Sequence, residues 1–228
     1  MKPADPVTAT TDYLLAVVYL ILALRLFRQA AMERQHATQI AAAAFFATML
    51  GAAAGGTYHW IGSEILWKLT VYCMGLMALF MTASSAFVAL AGAPRRAFLI
   101  AVGLQFVAYA TWVKGHDDFR YVIYDYAAAM LLTLCMFAWA SHRRLSRSVV
   151  WIGAAILVTV AASLIQASGL DLHRYFNHND LYHVIQLGAA WLFYRGFRNG
   201  KDRLQTHESD RDRKGKGRFC GANTGSLG

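Results

Sequence analysis

The chain has 228 residues and a formal net charge of +9; 57% of the residues are hydrophobic and 15% are charged. An ordinary soluble domain carries about a quarter charged residues, so this composition excludes one with the usual solvated surface. The cysteines, Cys73, Cys135 and Cys220, lie far apart with no CxxC spacing, which excludes a disulfide framework and a thiolate zinc site.

The apolar residues come in long uninterrupted runs, the signature of membrane-spanning helices. In chain order the predicted spans are residues 12–27, 37–60, 65–91, 97–113, 119–140, 148–168 and 180–197. The fold expected is all-α: a seven-helix transmembrane bundle, with residues 1–11 as a short external N-terminus and 199–228 as a disordered basic cytoplasmic tail. In the first run the positive charges Arg25 and Arg28 follow the apolar residues instead of preceding them, so it reads as a retained helix and not a signal peptide.

Orientation follows from the basic residues of the short loops. Arg25, Arg28, Arg34, Arg95, Arg96, Arg143, Arg144, Arg147 and every basic residue from Arg195 onward fall on one side, 17 of the 22. Lys2, Lys68, Lys114, Arg120 and Arg174 fall on the other. The C-terminus is therefore expected in the cytoplasm and the N-terminus outside, in a cell membrane of the bacterial inner-membrane kind. Topology accounts for the positive charge without a nucleic-acid partner. Small residues crowd the second and third spans, with Gly51 and Gly55 four apart, and predict close helix packing.

Five of the eight histidines fall at the outer ends of the spans: His59, His116, His173, His178 and His183, with Asp117, Asp118, Asp125, Asp171 and Asp180 at the same level. Histidine with carboxylate serves as a zinc ligand set and also as a proton relay. His59 closes the segment GGTYHWIG, as an interfacial belt residue or as a group aimed into the bundle. In FNHNDLYHVIQLG, residues Asn179, His183 and Gln186 follow an i, i+4, i+7 stripe, while Asn177, Asn179 and Asp180 also suit a helix start. Asp125 lies two turns into the fifth span, where a carboxylate needs a partner such as Lys68, Lys114 or Arg120, or a function.

His59 late in the second span and His183 in HNDLYH on the seventh give the chain a pattern that resembles the CREST superfamily of seven-helix membrane hydrolases, which includes the alkaline-ceramidase and adiponectin-receptor types. The resemblance implies zinc held by three histidines and hydrolysis of a lipid amide. The departures are Gly55 in place of the family serine, Glu64 and Lys68 flanking the expected aspartate, and a last histidine pair, His178 and His183, spaced five apart, with Asn179 at the usual partner position. The NHNDLYH segment is also similar to one in bacterial multi-pass membrane proteins.

The expectation is a zinc-dependent hydrolase of lipid amides or esters, with His59, His183 and His178 as metal ligands. Asp180 or Asp125 would be the proton acceptor, Thr57 the oxyanion donor, and membrane lipids the partners. The alternative is a non-catalytic sensor, small transporter or accessory protein with a polar His/Asp cavity. The hydrolase requires His59 and His183 to approach each other. The seventh span has no lysine for a retinal Schiff base.

Overall fold

The computed structural model describes residues 5–144, 146–173 and 176–203. These form seven helices: α1 (Pro6–Glu33), α2 (His36–Ile61), α3 (Glu64–Ala89), α4 (Gly92–Lys114), α5 (Arg120–His142), α6 (Val149–Ser168) and α7 (His178–Arg198). There is no strand among the described residues, only a single bridge between His173 and Phe176. Most of the tail expected at 199–228 lies outside the described residues.

Helices α1 to α6 are long and apolar enough to cross a membrane. The seventh falls short of that composition because Asn179, Asp180, His183, Gln186, Arg195 and Arg198 are spread along it. Local chemistry sets several ends. Asp5 caps α1 by accepting from the backbone N–H of Thr8, with Pro6 in the first turn, where a missing N–H costs nothing. Gly62 and Gly169 end α2 and α6 in left-handed conformation, at φ 69° and 66°.

The helices are arranged as a ring in the order α1, α2, α3, α5, α6, α7, closed by α7 on α1, with α4 outside the ring against α3. Glycines permit the close approaches. A Cβ on Gly51 would meet Met74 of α3 at 2.8 Å, and one on Gly196 would meet Ile152 of α6 at 2.5 Å. These positions carry the tight packing expected of the small residues.

Connections α2–α3, α4–α5 and α6–α7 and the N-terminus share one end of the bundle. At the opposite end Asp202 is buried and accepts from the backbone N–H groups of His36 and Ala37 at 2.9 and 2.7 Å, capping α2 from far along the chain. Its own N–H donates to the side chain of Gln35, and the Arg203 guanidinium donates to the carbonyl of Ala89. Ordered packing thus begins at Pro6, earlier than the expected boundary at 12, and continues to Arg203, beyond the expected boundary at 198.

Candidate functional site

A carboxylate on α1 organises the end that carries the N-terminus. Asp12, only 6% exposed, lies between the imidazoles of His183 on α7 and His59 on α2. His183 Nε2 is 3.3 Å from Asp12 Oδ1 and His59 Nε2 is 3.8 Å from Asp12 Oδ2. The approach of α1 to α2 depends on the glycine pair of the GGTYHW segment. A Cβ on Gly56 would stand 3.1 Å from both the Ala9 carbonyl oxygen and Asp12 Cβ, and one on Gly55 3.5 Å from Asp12 Oδ2.

Hydrogen-bond partners constrain the tautomer of His183. The Thr11 hydroxyl lies 2.9 Å from the Thr8 carbonyl oxygen and 3.0 Å from His183 Nδ1. A hydroxyl has one proton. Given to the Thr8 carbonyl, that proton leaves Nδ1–H as a donor to Thr11 and Nε2 bare where it faces Asp12; given to Nδ1, it leaves Nε2–H to donate to Asp12 Oδ1. The tautomer of His183 and the protonation of its contact with Asp12 are thereby linked.

Beside this cluster the starts of α1 and α7 cap each other. Asn177 is the N-cap of α7 and forms a capping box with Asp180. The Asn177 side chain donates to Asp5, the N-cap of α1, at 3.0 Å. The Thr8 hydroxyl donates to Asp180 Oδ1 at 2.8 Å, and the Asn177 N–H donates to Asp180 Oδ2 at 2.8 Å. Asp180, fully buried, is thereby engaged on both oxygens as a cap between two helices.

The other expected site residues lie in separate settings. His178 Nδ1 is 2.8 Å from Asp171, which also accepts the His178 backbone N–H at 2.9 Å. These two bonds, side chain first, hold the exposed Asp171 carboxyl below its ordinary value. The Thr57 hydroxyl donates to the Ala53 carbonyl of its own helix and meets Tyr13 of α1. Asp125 accepts from Gln105 on α4. Two of the three basic groups considered for Asp125 are engaged elsewhere: Lys68 with Asp117 and the Val113 carbonyl, and Arg120 with Asp118.

Zinc ligation by His59, His183 and His178 requires their ring nitrogens to converge on one point. His59 and His183 converge on Asp12, while His178 is turned to Asp171. Among the described residues no group of three His, Cys, Asp or Glu side chains is arranged to hold a metal ion. The expected zinc set therefore does not fit.

The model of a family of unknown function, DUF6962, matches residues 7–202. The chain belongs to that family. No curated protein and no solved structure matches it. The stretch shared with DUF6962 contains Asp12, His59 and His183 and ends on Asp202, the residue that caps α2.

In this DUF6962 bundle, polar groups continue inward from the cluster. Tyr182 faces Gln186, the Thr159 hydroxyl of α6 lies 3.3 Å from Gln186 Oε1, and Tyr126 of α5 faces Thr159. The interior beyond is closed by aromatic rings. Phe197 packs on Phe45, Phe137 and Phe193 at 6.4, 5.7 and 6.3 Å between centroids, and Tyr19 packs on Phe45 at 5.3 Å. The polar groups end at Thr159 and Tyr126, and the aromatic cluster packs beyond them.

Sequence reasoning placed His59, His183 and Gln186 among the polar groups of the bundle but missed Asp12, Thr11 and Thr159. A signal for Asp12 was present: it is the one acidic residue in the sequence between Asp5 and Glu33. The expected span begins on Asp12 itself, and an aspartate at a helix start is an ordinary residue.

Proposed function

We propose that this chain is a multi-pass protein of the bacterial inner membrane that crosses the bilayer seven times, with its N-terminus outside and its C-terminus in the cytoplasm. Its working part is a proton-binding centre at the outer end, made by Asp12, His59 and His183, and its role is that of a proton-responsive sensor or accessory protein. The distribution of Lys and Arg among the loops supports the orientation. Inclusion of α7 as a span is supported by the direction of its polar residues: Asp180, His183 and Gln186 meet α1 and α6 inside the ring.

The observation that carries the reading is a buried carboxylate set between two imidazoles, with His183 Nε2 3.3 Å from Asp12 Oδ1 and His59 Nε2 3.8 Å from Asp12 Oδ2. Paired groups of this kind titrate together. The aromatic cluster beyond Thr159 and Tyr126 supports a site that binds and releases protons on one side. Membrane lipids are the surrounding partners. Hydrolysis of a lipid amide or ester through zinc would need a third protein ligand other than His178.

Histidine-labelled protein in nanodiscs tests this by nitrogen NMR, with signals assigned through His59→Gln and His183→Gln. The expected result is that the two imidazoles titrate in a coupled manner and that Asp12→Asn moves both midpoints by about one pH unit or more. Midpoints indifferent to Asp12→Asn would overturn the reading. So would stoichiometric zinc in the wild type that is lost in His59→Ala and His183→Ala, an outcome that returns the hydrolase to the front.

A further inference from the structure

Outside the ring, α4 is the least enclosed of the apolar helices: 17% of its central apolar window is buried, against 67% for α3. It rests on α3 and meets α5 through the Trp112–Tyr121 ring contact near the helix ends and, deeper, through the Gln105 carboxamide donating to Asp125. Both residues lie within the helices. Asp125 is five residues past the start of α5 and Gln105 nine before the end of α4, depths of about 8 and 14 Å at 1.5 Å per residue. With the membrane placement proposed above, on which this inference rests, a carboxylate and a carboxamide stand on the outer wall of the bundle at hydrocarbon depth.

Groups of that kind normally face a protein interior or a wet cavity. The exposed sides of α4, with Ile100, Leu104 and Val107, and of α6, with Val150, Leu157, Val160 and Leu164, both suit acyl chains; the Gln105–Asp125 pair is what sets the α4–α5 face apart. Around the Gln105–Asp125 pair the exposed residues include Ala101 and Ala108 of α4 and Ala128 of α5, small enough for another helix to come close.

We propose that this α4–α5 face is where two copies of the chain associate in the membrane. The pair is self-complementary. Gln105 has two N–H donors and gives one to Asp125, while a carboxylate offers several acceptor sites. Across a two-fold axis the second N–H of each Gln105 reaches the Asp125 of the other copy, closing both polar groups without a different chain. A single foreign helix would need its own matching donor, and acyl chains have none to offer.

The experiment uses full-length protein in native membranes, with Cys135→Ala and Cys220→Ala as background. Ala108→Cys is oxidised with copper phenanthroline beside Leu157→Cys on α6, and the purified background protein is counted by photobleaching in nanodiscs. The expected result is a disulfide-linked dimer for Ala108→Cys alone and two-step bleaching. Both are lost on adding Gln105→Leu with Asp125→Leu, and two-step bleaching is lost separately with Ala108→Trp at an exposed position. One-step bleaching of the background protein would overturn the proposal, as would equal cross-linking at Leu157→Cys, or a different protein taking the place of the second copy. Resistance to alkaline carbonate extraction, measured on the same membranes, separates failure of the dimer from failure of the membrane placement.

Discussion

His183 is held from both sides by α1: its Nδ1 lies 3.0 Å from the Thr11 hydroxyl and its Nε2 3.3 Å from the Asp12 carboxylate. One imidazole thus reads two positions of the same helix a residue apart, and the α1–α7 contact fixes its orientation. A ring bonded on one side only could turn away from Asp12 at small cost.

Thr11→Val tests that clamp. Valine keeps the shape and removes the hydrogen-bond partner of Nδ1, leaving a largely buried polar atom unpaired, at a cost of about 1–3 kcal/mol. The expected outcome is a lower thermal midpoint together with a change in the balance of His183 tautomers, read from its nitrogen chemical shifts. An unchanged tautomer would show that Thr11 does not set it.

The packing of α1 on α2 rests on Gly56, where added bulk meets the Ala9 carbonyl and Asp12 Cβ at 3.1 Å. Gly56→Val is expected to destabilise by about 1–3 kcal/mol through overpacking and to disturb the Asp12 cluster, seen as altered His59 and His183 signals. Gly188→Ala is the control, since a Cβ there meets nothing within 4 Å; the expected result is a thermal midpoint equal to the wild type or higher.

Much of the helical architecture was legible because hydropathy reports burial in lipid or protein over 18 residues or more. Which helices touch was not legible. The ring order and the outlying α4 depend on shape complementarity between residues such as Gly75 and Tyr109, and no periodicity encodes which partner a glycine will meet. Of the site, His59, His183 and the Asn177–Asp180 cap could be read from local spacing. Asp12 could not, because its meaning comes from two imidazoles that the fold delivers from 47 and 171 positions away. The five-residue step between His178 and His183 has a physical outcome as well: His178 opens α7 and turns to Asp171 in the preceding connection, while His183 turns to α1.

The α6–α7 connection is expected to loosen in acid. The bonds from the His178 side chain and backbone hold the Asp171 carboxyl below its ordinary value of 3.8. A carboxyl depressed in the folded state contributes its stability in full above the unfolded value and loses it as the pH falls through the folded one. Hydrogen exchange across residues 169–173 should therefore be independent of pH-linked opening near neutrality and show extra opening only below about 4. Asp171→Asn should show the looser behaviour at neutral pH. Equal protection in wild type and variant would remove the pair from any role in ordering the connection.

At the other end, the start of α2 depends on a residue that follows α7. Gln35, the N-cap of α2, makes no side-chain cap of its own, and the two leading N–H groups donate instead to Asp202, which is 4% exposed. The carboxylate also meets the positive end of the helix dipole. Read in sequence, Asp202 sits in the polar run KDRLQTHESD and looks like the beginning of a solvated tail, because its partners are 165 and 166 positions away. Asp202→Ala is expected to cost about 0.5–2 kcal/mol, the range for loss of a side-chain cap, and to raise hydrogen exchange at His36 and Ala37. Ending the chain at Gly200 should reproduce the effect and add the loss of the Arg203 bond to Ala89. If the shortened chain and Asp202→Ala both keep wild-type stability and exchange, the C-terminal clamp is dispensable and α2 is held by its packing on α1 and α3 alone.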